Sequence, residues 1–306
     1  MFRMQANCCN SHRTVFLFLL LALLPGAHRA GAQAVVASAS VRSSAVDEDS
    51  GIPKPLRRGL SIASATNIAH DSLSGWSTLE SPALSFRFNR YFTADLSVPY
   101  YLYINSVRTT KKDVTKLTGY RSVLGDTALV GHAEVRPLGF DDTVTVAVTA
   151  PTGDLQLGLS TGHVSYDVNN HLEHDLGIFT PDLELGVGDT SGLFRQQIRK
   201  NYISSGTLAF FQAGTSVDLP GGLNFDAEAY EQLPLGNQTV YSQTVRKNGT
   251  VLKQASSAED NGVSAELNAT VMRHIILGAS FNRSIRLSDS TEGVSVAFLF
   301  PLSKSE

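Results

Sequence analysis

Cysteine is confined to Cys8 and Cys9 of a 306-residue chain, and tryptophan occurs once. Disulfides therefore cannot hold the chain beyond residue 9 together, whichever compartment it occupies. Long apolar runs are missing too. The longest, Val15 to Leu24 (VFLFLLLALL), spans ten residues, against the ~20 that a membrane-spanning helix needs. No comparably long amphipathic helix occurs either. Positive charge is scarce: 25 Lys and Arg face 28 Asp and Glu, for a net of -3. That balance argues against a nucleic-acid partner.

What is present at the N-terminus is directional. Arg3 and Arg13 precede the short apolar run, Pro25 follows it, and Ala30-Gly31-Ala32 precedes Gln33. This is the layout of a secretory signal peptide, residues 1–32. Both cysteines lie ahead of the apolar run, where a lipid-bearing cysteine would not be, so they read as incidental. Arg3, Arg13 and Arg29 would leave with the leader and no acid would, so the exported chain is more acidic still. Residues 33–57, rich in Ala, Ser and Val and then polar with Pro53 and Pro55, show no period and read as a flexible periplasmic lead.

From residue 58 onward the dominant signal is alternation. In Glu292–Leu302 (EGVSVAFLFPL), Val294, Val296, Phe298 and Phe300 alternate with Ser295, Ala297 and Leu299. In Phe92–Ile104, Phe92, Ala94, Leu96, Val98, Tyr100, Leu102 and Ile104 share one face. Period two places successive side chains on opposite faces of a β-strand. The pattern returns in Thr143–Ala150, Gly262–Met272 and, more weakly, Gly222–Gln232. Twelve strands are expected, near 59–68, 83–89, 92–104, 125–136, 143–150, 170–178, 181–189, 206–217, 223–232, 262–272, 275–286 and 293–302.

The connections separate the architectures. Long polar ones (69–82, 105–124, 151–169, 190–205, 233–261 and a shorter one at 287–292) alternate with short ones at Arg90-Tyr91, Pro137–Asp142, Phe179-Thr180, Leu219–Gly221 and Arg273-His274. Tight periplasmic turns and long external loops are the habit of an outer-membrane barrel. An even strand count also returns both chain ends to one side. A secreted β-sandwich shares the alternation but not the loop asymmetry, and the greasy faces are padded with Ala, Gly and Val. The expected fold is therefore all-β: an antiparallel transmembrane β-barrel of about twelve strands over residues 58–306, in the cell outer membrane and in contact with its lipid. Within 233–261, Asn248-Gly249 between two alternating stretches is a strong hairpin signal and suggests a ribbon projecting outward. The Asn-x-Ser/Thr matches at Asn268 and Asn282 fall inside expected strands and are discounted as glycan sites, unlike Asn237 and Asn248, which a eukaryotic secretory pathway would be needed to modify.

Three stretches carry a resemblance: LGDTALVGHAEVRP at Leu124–Pro137, TVAVTAPTGD at Thr145–Asp154 and PDLELGVGDTS at Pro181–Ser191. Together they resemble the outer-membrane barrel transporter family labelled MetA-pathway of phenol degradation. The resemblance covers about the middle third of the chain and implies passage of an aromatic or otherwise apolar compound. The last strand is also similar to the assembly signal of bacterial barrels, through Thr291, Gly293, Val296 and Phe298, which implies the barrel-assembly machinery as a partner. It departs from the commonest pattern in that Pro301–Glu306 follow the last aromatic.

If the apolar faces meet lipid, the opposite faces line a lumen. The candidates are Arg87, Asp95, Tyr101, Tyr103, His132, Glu134, Arg136, Glu184, Asp226, Glu228, Tyr230, Glu266 and Arg286. Acids outnumber bases, which favours a polar or cationic solute and conflicts with the family hint. Charges that simply pair across a water-poor interior would serve equally as structure. His163, His171 and His174, with Asp167, Glu173 and Asp175, are expected in one exposed loop; their spacing fits no helical metal pair, so no metal is assigned. His132 shares a face with Glu134, but no serine is placed beside them for a lipid hydrolase. Pro-Thr-Gly-Asp and Gly-Val-Gly-Asp lack the strand-to-helix context of phosphate loops and read as turns. No enzyme activity and no cofactor are expected. The function expected is passage of a small solute; the alternatives are a structural or surface-interaction barrel and, more remotely, a lipid-modifying barrel hydrolase.

Overall fold

The computed structural model describes residues 59–302 except 73–74, 110–114, 138, 155–156, 158, 161, 191–201, 238, 247–248, 255–258, 273 and 287–289. The expected leader and lead, residues 1–57, lie outside the described residues. No helix among the described residues is long and apolar enough to cross a membrane. The chain crosses with strands instead.

Among the described residues there are sixteen strand segments: β1 (Gly59–Asp71), β2 (Gly75–Arg87), β3 (Phe92–Ser97), β4 (Tyr100–Thr109), β5 (Thr115–Leu124), β6 (Thr127–Val135), β7 (Phe140–Ala150), β8 (Ser165–His174), β9 (Phe179–Thr190), β10 (Tyr202–Leu219), β11 (Leu223–Pro234), β12 (Thr239–Arg246), β13 (Gly249–Gln254), β14 (Asp260–Met272), β15 (Ile275–Ser284) and β16 (Ser290–Pro301). β3 and β4 are one stave interrupted at Val98-Pro99, since both pair with β2. β5 and β6 are likewise one stave, pairing with β4 and β3 respectively. With β12 and β13 set aside as a separate ribbon, twelve antiparallel staves remain. β1 pairs β16 from Ser61↔Pro301 to Asp71↔Thr291 and pairs β2 on its other edge, so the ring closes. Closure matters because an unpaired amide in hydrocarbon costs several kcal/mol.

Alternation builds the two faces. On β16, Val294 and Phe300 are exposed on the outer face, whereas Thr291 and Gly293 are buried inside. Ile62 and Ile68 of β1, Trp76 and Leu84 of β2, Leu129 of β6 and Val144, Val146 and Val148 of β7 continue the exposed apolar surface. On β1 the inward positions are small or polar, Ala63, Ala65, Asn67, Ala69 and Asp71 all being buried, while Leu79 of β2 and Leu208 and Phe210 of β10 add buried apolar side chains to the inner wall. A water-soluble sheet would invert this distribution. Acids also occur on the outer face, and Glu80 is one with identified partners. Glu80 lies opposite Thr66 and accepts hydrogen bonds from the Ser64 and Thr66 hydroxyls, which replace part of the water that a carboxylate loses there.

Several expected boundaries move. The expected loop at 69–82 is mostly strand: β2 begins at Gly75, so only three residues separate it from β1. Trp76, Thr78, Glu80 and Pro82 alternate with Gly75, Ser77, Leu79 and Ser81, and with polar residues on both faces no greasy dyad marks the strand. Pro82 sits opposite the β3–β4 interruption and its carbonyl accepts from Val98 N at 3.2 Å, a place where its missing N–H interrupts no ladder. The expected loop at 105–124 is likewise shorter, because β4 and β5 extend into it. The strand expected at 170–178 is β8, shifted toward the N-terminus, and the chain turns at 175–178. At 220–222 the turn rests on Gly221 and Gly222, with φ of +86° and +76°, values that residues with a Cβ rarely adopt.

The ribbon is where the Asn-Gly signal placed a hairpin: β12 and β13 pair antiparallel, Asn248 itself lying outside the described residues. Its direction differs from the expectation. β12 pairs Thr239–Ser242 with Ser205–Tyr202 of β10 and touches β4 at Val245↔Arg108. β4 and β10 stand on nearly opposite sides of the ring, so the ribbon crosses the mouth instead of projecting away from it.

Candidate lumenal site

The inner wall is built by register. Directly opposed residues in an antiparallel pair share a face, so the ladder from β8 to β14 stacks inward side chains in rows. One row runs Glu173, Asp182, Gly214, Glu228 and Ser264; the next runs His171, Glu184, Gln212, Tyr230 and Gly262. Asp226 and Glu266 face each other directly below. Asp182, His171, Glu184, Gln212 and Tyr230 are buried, and Glu173, Glu228, Ser264, Asp226 and Glu266 are half-buried.

Charges find partners where they are dry. His171 bridges two acids, with Nδ1 3.5 Å from Glu184 and Nε2 3.4 Å from Glu173. Ser264 donates to Glu228 at 3.1 Å. Tyr230 donates its hydroxyl to Asp260 at 3.4 Å, and Ser284 donates to the same carboxylate. Toward the periplasmic end, Arg87 Nη2 lies 3.1 Å from Glu134, and His132 bridges Asp95 and Thr145, both at 3.1 Å.

Most sequence candidates are therefore on the inner wall: Arg87, Asp95, Tyr101, His132, Glu134, Glu184, Asp226, Glu228, Tyr230 and Glu266. Three are not. Arg136 lies past the end of β6, exposed, with Asp141 at 3.0 Å. Arg286 lies past β15, exposed at the other rim, 2.6 Å from Glu259. Tyr103 is displaced by an irregularity. The β2–β4 register slips between Thr78↔Tyr103 and Leu79↔Tyr101, and this bulge exchanges the faces of the residues beyond it. Tyr103 shares the outward face of Thr78 and donates to Asn105 at 2.6 Å. Ile104, expected toward lipid, is instead buried to 1% inside.

Ile104 is covered by the β7–β8 connection, which folds into the barrel. Leu157 and Leu159 pack on Ile104 together with Tyr101, Tyr120 and Val123. The turn motifs explain the fold of this loop. Gly153 N donates to Asp126 Oδ1 at 2.9 Å, Thr152 Oγ1 to the Gly125 carbonyl at 3.1 Å, Asp154 N to the Leu124 carbonyl at 3.2 Å, and Thr127 N to Thr152 Oγ1 at 2.8 Å. Leu-Gly-Asp-Thr and Pro-Thr-Gly-Asp are thus two halves of one junction at the β5–β6 interruption.

The histidines expected in one loop are dispersed. His171 is on the inner wall; His174 meets the Gly139 carbonyl at 3.0 Å and the Phe140 ring at 4.5 Å at the periplasmic turn; His163 is 3.7 Å from Asp189 at the outer end. Among the described residues no group of three or more His, Cys, Asp or Glu is arranged to hold a metal ion. Sequence reasoning missed Asp167, His171, Glu173, Asp182 and Asp260 as wall residues. Alternation with Tyr166 and Val168 was the available signal for the first, hidden by the polar residues Asn169 and Asn170 in the middle of β8.

No protein-family model matches the chain, and no curated protein does. Solved structures do. The COG4313 outer membrane channel from Pseudomonas putida F1 superposes with a TM-score of 0.54 at 12% identity, over 83% of this chain and 100% of that one. The fold is an outer-membrane β-barrel. The NanC porin gives 0.47 at 9% identity over 77% and 98% of the two chains, and the P. putida toluene transporter TodX gives 0.42 at 10% over 80% and 91%. At such identities the likeness concerns fold alone. Closure, the apolar outer belt and this fold place the barrel in the outer membrane.

Proposed function

We propose that the barrel is a passive conduit for a small solute across the outer membrane and performs no chemistry of its own. The observation that carries this reading is the opposition of the two faces: an apolar exterior suited to lipid encloses a wall of carboxylates, histidines, hydroxyls and amides. Pores of this kind select by constriction and by the charge of the lining. Twelve staves enclose more than side chains alone need fill, yet far less than a sixteen-stranded porin, and Leu157 and Leu159, packed on Ile104, narrow the passage further.

The sequence resemblance to phenol-pathway transporters supports an aromatic solute. The acid-rich wall supports a solute with a positive or hydrogen-bond-donating group. An amphiphile with an apolar body and one polar head satisfies both. A surface-interaction barrel is less favoured, because the ribbon lies across the mouth. Thr291 and Gly293 inside and Val296 and Phe298 outside remain our candidates for reading by assembly machinery.

Single-channel recording of the refolded protein in a planar bilayer tests the proposal, with phenolic and cationic solutes added as blockers. Steady openings that one class blocks are expected. A heat-modifiable barrel with no conductance and no solute flux into liposomes would overturn it.

A further inference from the structure

The Gly-Val-Gly-Asp stretch, which reads as a turn in the sequence, lies within β9, alongside Asp167. Gly188 pairs with Asp167 and Gly186 with Asn169. A Cβ at Gly188 would come within 2.9 Å of Asp167 Oδ2, and one at Gly186 within 3.1 Å of Asn169 Cβ. The two glycines leave the space into which the Asp167 and Asn169 side chains lean. Asp167 faces the lumen and is 1% exposed. Its Oδ1 accepts from Asn169 Nδ2 at 3.4 Å, a long bond, while Oδ2 is buried with no hydrogen-bond partner. Among the described residues its charged neighbours, Glu184 and Asp189, are both acids. The nearby imidazoles are turned to those neighbours, His171 to Glu184 and His163 to Asp189.

A dry carboxylate beside two other acids is relieved by a proton or by a positive partner that brings hydrogen-bond donors. A bare metal ion suits this place poorly, because no metal-spaced group of ligands occurs among the described residues. We infer that Asp167, held by Asn169 over Gly186 and Gly188, forms a lumenal subsite for the primary ammonium head of a solute, with Glu184 and Asp189 adding attraction at longer range. This deepens the conduit reading by naming the head group it would pass, and rests on that reading for its biological sense.

Titration calorimetry of the full chain, refolded in detergent, tests the subsite with n-butylammonium as probe and n-butanol and tetramethylammonium as comparisons. Butylammonium should bind at least about tenfold more tightly than either, since neither comparison combines positive charge with an N–H donor. Asp167→Asn should lose about tenfold in affinity for butylammonium, and Gly188→Ala, which crowds Oδ2, should also weaken it. Glu292→Gln, the same charge change on the outer face, should leave binding unaltered. Equal binding of butanol and butylammonium by the wild-type protein would overturn the inference without any variant, and so would a folded Asp167→Asn that binds as wild type does. Conductance measured on the same preparation separates the two proposals. Binding by an electrically silent barrel sinks the conduit and spares the subsite; openings without ammonium preference do the reverse.

Discussion

Among single residues, the inner wall depends on pairs whose members cannot be removed singly. Arg87 and Glu134 meet at 3.1 Å with side chains 16% and 30% exposed, so truncating Glu134 leaves a half-dry guanidinium without its main anion. Glu134→Ala should lower stability by about 1–3 kcal/mol, visible as a lower urea midpoint in liposomes; a midpoint equal to wild type would show that the pair contributes nothing net. Gly153 offers a sharper test, because the obstacle is backbone. An added Cβ would sit 2.4 Å from the Leu159 carbonyl oxygen and 2.8 Å from Gly125 C, neither of which can rotate away. Gly153→Ala should therefore unseat the loop and release Leu157 and Leu159 from Ile104, detectable as new proteolytic cleavage between residues 151 and 164. Continued protection of this segment would mean that Leu157 and Leu159 hold it without the turn.

Strands and loops differ in how plainly the sequence announced them. β16, β7 and β14 were legible because each sets large apolar side chains against small or polar ones at period two, and a lipid-facing wall requires that contrast. β2 and the first half of β8 were not, since the outer face of β2 carries Thr78, Glu80 and Pro82, and Asn169-Asn170 put polar residues on both faces of β8. The bulge at Leu102 was invisible for a different reason: a one-residue slip leaves composition untouched while reversing the faces of Tyr103 and Ile104. The rim residues Arg136 and Arg286 were misplaced because parity was continued past strand ends where pairing stops. Where parity does hold it can be broken deliberately. Val296 lies on the outer face opposite Thr66, whose hydroxyl is already engaged by Glu80, so Val296→Asp adds a second carboxylate to a spot that can solvate only one. Carboxylates on the lipid face destabilise barrels by less than the ~2–4 kcal/mol of basic residues at the midplane, but the neighbouring charge adds repulsion. Val296→Asp should abolish the heat-modifiable folded band or depress its yield severalfold, whereas Ser295→Asp, facing inward, should retain it. Equal folding of both would overturn the assignment of faces.

For the molecule as a whole, closure and entry are governed by different parts of the chain. Closure is secured by the long β1–β16 ladder and is independent of the ribbon, whose strands pair only with the upper part of β10, with each other and, at one point, with β4. Entry from outside must pass the ribbon, because it joins nearly opposite sides of the mouth. Stability and access should therefore separate on deletion. Replacing Thr239–Gln254 with a short Gly-Ser linker removes pairing at the upper end of β10 and at one point of β4 but none between neighbouring staves, so the urea midpoint in liposomes should stay close to that of the full chain. Single-channel conductance should rise, and block by solutes added from the external side should become faster, since a β-ribbon no longer spans the approach. An unchanged conductance would locate the limiting constriction deeper, at Leu157, Leu159 and Tyr101, and a double Leu157→Ala, Leu159→Ala variant should then raise it where the deletion did not.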